Sequence, residues 1–257
     1  MKNFKEFSIN KLKYVFTDID DTLTEDGQLP AHAYKSLWDL NDKGIHIIPI
    51  TGRPAGWCEM IARMWPVAGV VGENGALYFC YKNKKMIRNF IYDDETIKSN
   101  RKKLDIIRDE VLEKVKGCAI ASDQFCRLFD LAVDFCEDVP ALPKKSIDDI
   151  VSIFKNHGAT AKVSSIHVNG WFGDYNKLSM CRTFLEKEFN LNIEQAQENT
   201  IFVGDSPNDE TMFGYFNNSF AVSNINEFID ELNEKPKYVS DKPGGSGFTE
   251  IINHILK

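Results

Sequence analysis

The residues best placed to do chemistry come early in the chain. Asp18 and Asp20 follow the apolar run Tyr14-Val15-Phe16-Thr17 and lead into Asp21-Thr22-Leu23. Such a run reads as a buried strand, and open α/β sheets bind their ligands beyond the carboxyl ends of strands. Two ionised carboxylates two residues apart are costly to desolvate there without a partner. A divalent cation removes the conflict. An Asp beside such a cation can act as a nucleophile and its neighbour as general acid and base, the chemistry of phosphoryl transfer through an aspartyl phosphate. Taken alone, the pair has a second reading as a helix N-cap followed by first-turn acids.

Two further junctions favour the first reading. Ile47-Ile48-Pro49-Ile50 runs into Thr51-Gly52-Arg53-Pro54, an apolar strand ending in a hydroxyl, a glycine and a proline suited to the first turn of a helix. Thr51, with the backbone N–H groups beside it such as that of Gly52, can hold an anion at a helix N-terminus. Late in the chain Thr200-Ile201-Phe202-Val203 ends in Gly204-Asp205-Ser206-Pro207-Asn208-Asp209. Again a strand ends in acids, and again a proline follows.

Asp-x-Asp, Thr and Gly-Asp-x-x-Asn-Asp at three strand ends, in that order, resemble the haloacid dehalogenase superfamily of aspartate-nucleophile phosphatases. The branch they resemble is subclass IIB, with the Cof-type, sucrose-phosphate and trehalose-phosphate phosphatases, where a segment like Gly72-Glu73-Asn74-Gly75-Ala76 also occurs. The family completes its site with a lysine between the second and last motifs, and Lys177 is the match. Two positions depart from the pattern. Leu178 stands where the lysine's neighbour is usually glycine, and Asp21 stands where glycine is frequent. Position 21 stays small and polar, so the turn is expected to survive.

The resemblance implies a role for each residue. Asp18 is the expected nucleophile and Asp20 the expected acid and base. Mg²⁺ is expected on Asp18, the backbone carbonyl of Asp20 and Asp205, with Asp209 reaching it through a water or Ser206. All-oxygen ligation suits that hard ion. Thr51, Gly52 and Lys177 are expected on the phosphoryl oxygens. Arg53 and Asn208 are candidate substrate contacts, although a helix-start position and a turn beside Pro207 explain them equally well.

The whole-chain numbers agree with an enzyme acting on a small metabolite. The 257 residues suffice for one large α/β unit plus an insertion, and 43% hydrophobic with 27% charged residues is ordinary for a globular protein. A formal net charge of -7 argues against a nucleic-acid partner, which usually needs a basic face. No apolar run approaches a membrane span and no signal-peptide core follows Met1, so the expected location is the cytoplasm, as a monomer or homodimer. Cysteines 58, 80, 118, 126, 136 and 181 lack Cys-x-x-Cys spacing and read as reduced.

Periodicity then supplies the scaffold. A helix over 31–43, a strand over 45–50, a helix ending at Pro66, and strands over 68–71 and 76–81 make a β-α-β-α-β succession. This predicts a Rossmann-like parallel sheet. From about residue 83 the pattern becomes α-β-β twice: a helix over 94–116, strands over 118–122 and 126–135, a helix ending near Gly158, and strands over 160–164 and 166–171. Strands joined by short turns run antiparallel, so this stretch reads as an α+β cap inserted into the core. The expected division is a core over 1–82 and 172–257 and a cap over 83–171.

Several weaker signals are set aside. Gly244-Gly245-Ser246-Gly247 lacks a P-loop lysine and reads as a turn before a helix over 248–256. His167 and Trp171 read as packing or hinge residues, Arg127 as a strand residue able to face the site, and Arg101, Lys102 and Lys103 as a solvated helix face. The competing functions are a phosphomutase, which needs cap arginines and an Arg-x-Gly-Met-x-Asn-type segment without a counterpart here, and a phosphoaspartate signalling protein. Specificity is left to the cap, with a small sugar or polyol phosphate as the expected substrate.

Overall fold

The computed structural model describes residues 1–164 and 166–257. From its start the chain forms β1 (Lys2–Asn3), β2 (Tyr14–Thr17), α1 (Ala31–Asp42), β3 (His46–Pro49), α2 (Ala55–Met64), β4 (Val70–Gly72), β5 (Leu77–Lys82) and β6 (Lys85–Phe90). It continues with α3 (Asp94–Lys114), β7 (Ala119–Ile120), β8 (Asp130–Asp134), α4 (Lys144–Asn156), β9 (Thr160–Val163) and β10 (His167–Trp171). The last part is α5 (Lys177–Phe189), α6 (Ile193–Ala196), β11 (Thr200–Gly204), α7 (Glu210–Tyr215), β12 (Ser219–Ala221), β13 (Tyr238–Val239) and α8 (Gly244–Ile255).

The main sheet runs β1-β13-β12-β11-β2-β3, and every pair in it is parallel. Parallel strands buried on both faces need near-continuous apolar sequence, because successive side chains point to opposite sides. Val15, Ile47, Ile201 and Val203 enter one apolar cluster, whereas Phe16, Ile48 and Phe202 enter the other. β2 and β11 lie centrally and pair Thr17 with Val203, so their carboxyl ends finish level. The chemistry-bearing motifs therefore leave the sheet at one edge.

A second sheet, β4-β5-β6, is antiparallel and joins the first through a parallel bridge between Ile50 and Val71. This differs from the sequence reading in two ways. β5 turns back on β4 instead of continuing the parallel order, and β6 pairs with β5 along its whole length. The boundary expected at residue 83 thus falls inside a hairpin, whose Asn83 and Lys84 both take positive φ. A break in apolar alternation marked a turn, not the end of a structural layer.

Residues 94–171 form a four-stranded antiparallel sheet, β7-β8-β10-β9. α3 and α4 pack on it through a third apolar cluster that includes Leu104, Ile107, Val111, Ile150, Phe154, Val133 and Val168. The strand expected over 126–135 is shorter, because a single 3-10 turn at Gln124–Cys126 precedes β8. α8 begins at Gly244, so the glycine cluster forms its first turn and not a loop ahead of it.

Candidate active site

Parallel register does the first part of the assembly. Asp18 follows β2 and donates its N–H to the Val203 carbonyl at 2.9 Å, which sets it beside Asp205 at the end of β11. The turn after β11 folds Asp209 back, and its Oδ2 accepts the Asp205 N–H at 3.1 Å. Only glycine fits before it, since a Cβ on Gly204 would stand 2.3 Å from that oxygen. Asp18, Asp205 and Asp209 each offer an oxygen within 4.8 Å of the others, and all three are buried.

Among the described residues, one cation faces this group. Lys177 opens α5, whose N-terminus is fixed by a capping box between Asn176 and Ser179. Its Nζ lies 2.6 Å from Asp18 Oδ1 and 2.7 Å from Asp209 Oδ1. These two carboxylates hold the lysine firmly protonated against the opposing effect of burial. A single positive charge does not balance three buried carboxylates. Burial, and then mutual repulsion, hold the Asp18 and Asp205 carboxyls well above the usual carboxylate range. A compact set of oxygen donors in charge excess fits a hard divalent cation. Thr22 Oγ1, 3.1 Å from Asp205 Oδ1, and Asn224 Nδ2 orient the third carboxylate.

Asp20 sits apart from that group. Residues 18–24 form a tight loop in which the N–H groups of Thr22, Leu23 and Thr24 all turn back to the Ile19 carbonyl. Asp21 takes φ 55, the left-handed conformation that Asp tolerates better than most residues, so the turn survives without glycine. The Asp20 carboxylate consequently points toward the second motif. It accepts from Arg53 Nε at 2.9 Å and stands 3.4 Å from Thr51 Oγ1. Its side chain lies outside the three-carboxylate group, leaving its main chain as the part that could reach a cation there. Thr51 Oγ1 also accepts the Arg53 N–H at 2.9 Å, which closes the loop around Gly52.

The opposite wall comes from residues 123–169. Arg53 Nη2 reaches Glu137 Oε1 at 2.8 Å, and Glu137 Oε2 lies 2.9 Å from His167 Nε2. His167 and Arg53 together pull the Glu137 carboxyl down to about 2. Arg127 is buried against Asp123 and Asp130, and its Nη1 donates to the Gly52 carbonyl at 2.8 Å. Arg101, expected on a solvated face, instead donates to the carbonyls of Asp130 and Arg127 at 3.0 and 3.1 Å.

Asp18, Asp20, Gly52, Arg53 and Asn208 are thereby brought around one space of about 20 Å³, with Arg127, His167 and Asn169 opposite. That is room for about one water. A chamber of about 210 Å³ continues past Lys177 and Asn208 toward Lys162, and another of about 260 Å³ past Asp20 toward Glu137. Sequence reasoning missed Glu73, Asp123, Asp130 and Glu137. Asp123 and Asp130 pair with Arg127 four and three residues away, but the partners of the Glu73 and Glu137 side chains lie 18 to 84 residues away along the chain. For Glu73 alone there was a signal, its place in the Gly-Glu-Asn-Gly-Ala segment.

Comparison with known proteins bears on this geometry. The family described as haloacid dehalogenase-like hydrolase matches the chain over residues 15–113 and 183–252. A glucosyl-3-phosphoglycerate/mannosyl-3-phosphoglycerate phosphatase of Persephonella marina is 27% identical over 267 aligned residues, covering 94% of this chain and 96% of that protein. Among solved structures, a Thermoplasma acidophilum protein superposes with a TM-score of 0.72 at 17% identity, covering 95% and 98% of the two chains. The sucrose-phosphatase of Synechocystis, determined with sucrose and phosphate, gives 0.64 at 16% identity over 95% and 98%. At such identities the structural matches speak for the fold: a parallel core sheet carrying additional antiparallel layers.

Proposed function

The chain belongs to the haloacid dehalogenase-like hydrolases, and from that premise we propose that it is a Mg²⁺-dependent phosphatase of small sugar or polyol phosphates, acting through a phosphoaspartate at Asp18. The observation that carries this reading is the buried, under-compensated trio Asp18, Asp205 and Asp209 with Lys177 beside it. Asp18, Asp205 and Asp209, with the main-chain carbonyl of Asp20, would hold the ion, which when bound supplies positive charge to the phosphoryl oxygens.

The remaining chemistry belongs to the chain. Asp18 attacks phosphorus through a carboxylate oxygen, and Asp20 gives its proton to the departing alkoxide. Arg53 holds Asp20 by Oδ1, and Oδ2, with the longer 3.4 Å contact from Thr51 Oγ1, serves that transfer. Thr51, the Gly52 N–H and Lys177 bind the non-bridging oxygens, where charge accumulates in a loose transition state. In the second half Asp20 takes a proton from the water that cleaves the phosphoaspartate. Residues 94–171 serve as a cap: Arg127 and Glu137 fasten them to the Thr51–Arg53 loop and exclude bulk water.

A small substrate is supported by the limited volumes of these chambers and by the relatives, one named for glucosyl- and mannosyl-3-phosphoglycerate and one a sucrose-phosphatase. Arg53, His167, Asn169 and Asn208 offer the hydrogen-bonding groups a hydroxylated leaving group requires. Six free cysteines suit a reducing cytoplasm. A turnover screen over phosphorylated sugars, polyols, nucleotides and phosphoglycerate derivatives tests the reading. Hydrolysis of sugar phosphates that stops in EDTA and returns with Mg²⁺ is expected; full activity in excess EDTA, or preference for a phosphoprotein, contradicts it.

A further inference from the structure

The turn Glu73-Asn74-Gly75 has no part in the reaction just described, yet it touches both the Thr51–Arg53 loop and the start of the Lys177 helix. Glu73 and Asn74 take φ of 45 and 56, a conformation that non-glycine residues rarely adopt and that concentrates at functional sites. The Glu73 N–H donates to the Arg53 carbonyl and the Asn74 N–H to the Thr51 carbonyl, both at 3.1 Å, so the turn is stitched to the phosphate loop. Gly75 lies flush against the start of α5: a Cβ there would stand 2.1 Å from the Asn176 oxygen and 2.9 Å from the Lys177 nitrogen.

The Glu73 side chain turns the other way and is fully buried. Its carboxylate accepts the N–H of Ala55 at 3.0 Å, in the first turn of α2. It also accepts from Leu128 at 2.9 Å, Phe129 at 2.6 Å and Asp130 at 3.2 Å, in the segment entering β8. One anion thus ties the backbone of the inserted unit to the backbone behind the phosphate loop. Only an ionised carboxylate suits four converging donors, since a carboxylic acid or an amide would turn a hydrogen toward some of them.

We propose that Glu73 is a positioning residue of the phosphatase reaction: it seats residues 128–130 on α2 and thereby sets the Thr51–Arg53 loop and Lys177 in register with the wall formed by Arg127 and Glu137. This rests on the phosphatase reading above. The titratable and charged groups facing Glu73 are Asp130 and Arg127 from the inserted unit, Cys58 from α2, Cys126 before β8 and Tyr175 before α5. Burial and then the Asp130 charge push the Glu73 carboxyl up to about 7. Because that lies above a carboxyl's ordinary value, the seated form binds the proton more tightly than an opened one, and seating strengthens as the pH falls through about 7.

Glu73→Gln tests the proposal with p-nitrophenyl phosphate and a hexose phosphate as substrates, alongside amide hydrogen exchange. Misplacement of the loop should lower kcat by about 10²-fold with KM changed only a few-fold. Amides 128–130 should exchange at least about tenfold faster than in the parent, as expected for local opening. Parental kcat in the variant, or a loss of kcat with amides 128–130 still fully protected, overturns the proposal. Should the variant not fold, the parent protein decides alone: protection of those amides, corrected for intrinsic rates, must rise as pH drops through about 7, because the raised carboxyl takes up a proton more readily in the seated form than in an opened one, and flat or falling protection overturns it. Exchange is read without any substrate, so an absence of phosphatase activity in the parent would count against the proposed function and not against the seating of 128–130.

Discussion

Two charged regions face each other across the site and are built on opposite principles. At the ends of β2 and β11, three buried carboxylates share one lysine, and the Asp18 and Asp205 carboxyls are held well above their ordinary range. Across from them, Arg53, Arg127 and His167 are matched with Asp20, Asp123, Asp130 and Glu137, and the Glu137 carboxyl is pulled down to about 2. The first region is incomplete in charge and calls for a cation. The second has a basic side chain beside every carboxylate and acts as a wall. The proposed nucleophile lies where charge is left uncompensated, whereas the proposed acid and base, Asp20, lies on the paired side and is held by Arg53.

The largest effect that could break this comparison is at the nucleophile. Asp18→Asn should lower kcat by about 10⁴-fold or more, in line with nucleophile removals elsewhere. In metal-free protein the same change removes a repelled charge, so the thermal midpoint should stay level or rise. A variant both active and destabilised would put Asp18 in the structural wall. Next in size is Lys177→Ala. It should cost about 10²–10³-fold in kcat, as for other donors to developing charge. It should also cost about 3–5 kcal/mol of stability, because a buried lysine–carboxylate pair is broken. Denaturant titration at fixed metal measures the second quantity.

The two regions should also respond oppositely to pH. Asp18 and Asp205 have folded-state pKa values raised above their unfolded ones, so without metal their contribution to stability declines as pH rises above about 4. Mg²⁺ should offset that decline, adding about 2.7 kcal/mol at a hundred times its Kd, and Asp205→Asn should remove most of the gain. Glu137, lowered to about 2, contributes stability that is fully present above about 4.5 and lost as pH falls toward 2. Its side chain is partly exposed, so Glu137→Gln should cost only about 1 kcal/mol. Activity on sugar phosphates should fall more than on p-nitrophenyl phosphate, whose leaving group needs little help from Asp20. Equal losses on both would detach Glu137 from Asp20.

The same contrast explains what could be read from the sequence. The carboxylate side is made of contiguous motifs: Tyr14–Thr17 is a strand with the expected limits, and Asp18, Thr51 and Asp205 follow the expected strands. Each is positioned by local chain geometry and parallel register. The wall is made of contacts between segments far apart, such as Arg53 with Glu137 and Arg127 with Gly52. No periodicity encodes those. Arg101 shows the limit, since its position on α3 predicts solvent whereas tertiary packing supplies two carbonyl acceptors. β6 was overlooked for the same reason: Lys85–Phe90 has a mixed pattern and owes its strand conformation to pairing with β5.

The central claim is that Asp18 becomes covalently phosphorylated. Acid-quenching the protein within milliseconds of mixing with ³²P-labelled acetyl phosphate and Mg²⁺, then digesting and sequencing the labelled peptide, tests it most directly. Hydroxylamine-labile label is expected on the peptide containing Asp18, absent from Asp18→Asn and absent in EDTA. Undiminished turnover with no label trapped at any time, or label residing on another side chain, would contradict it.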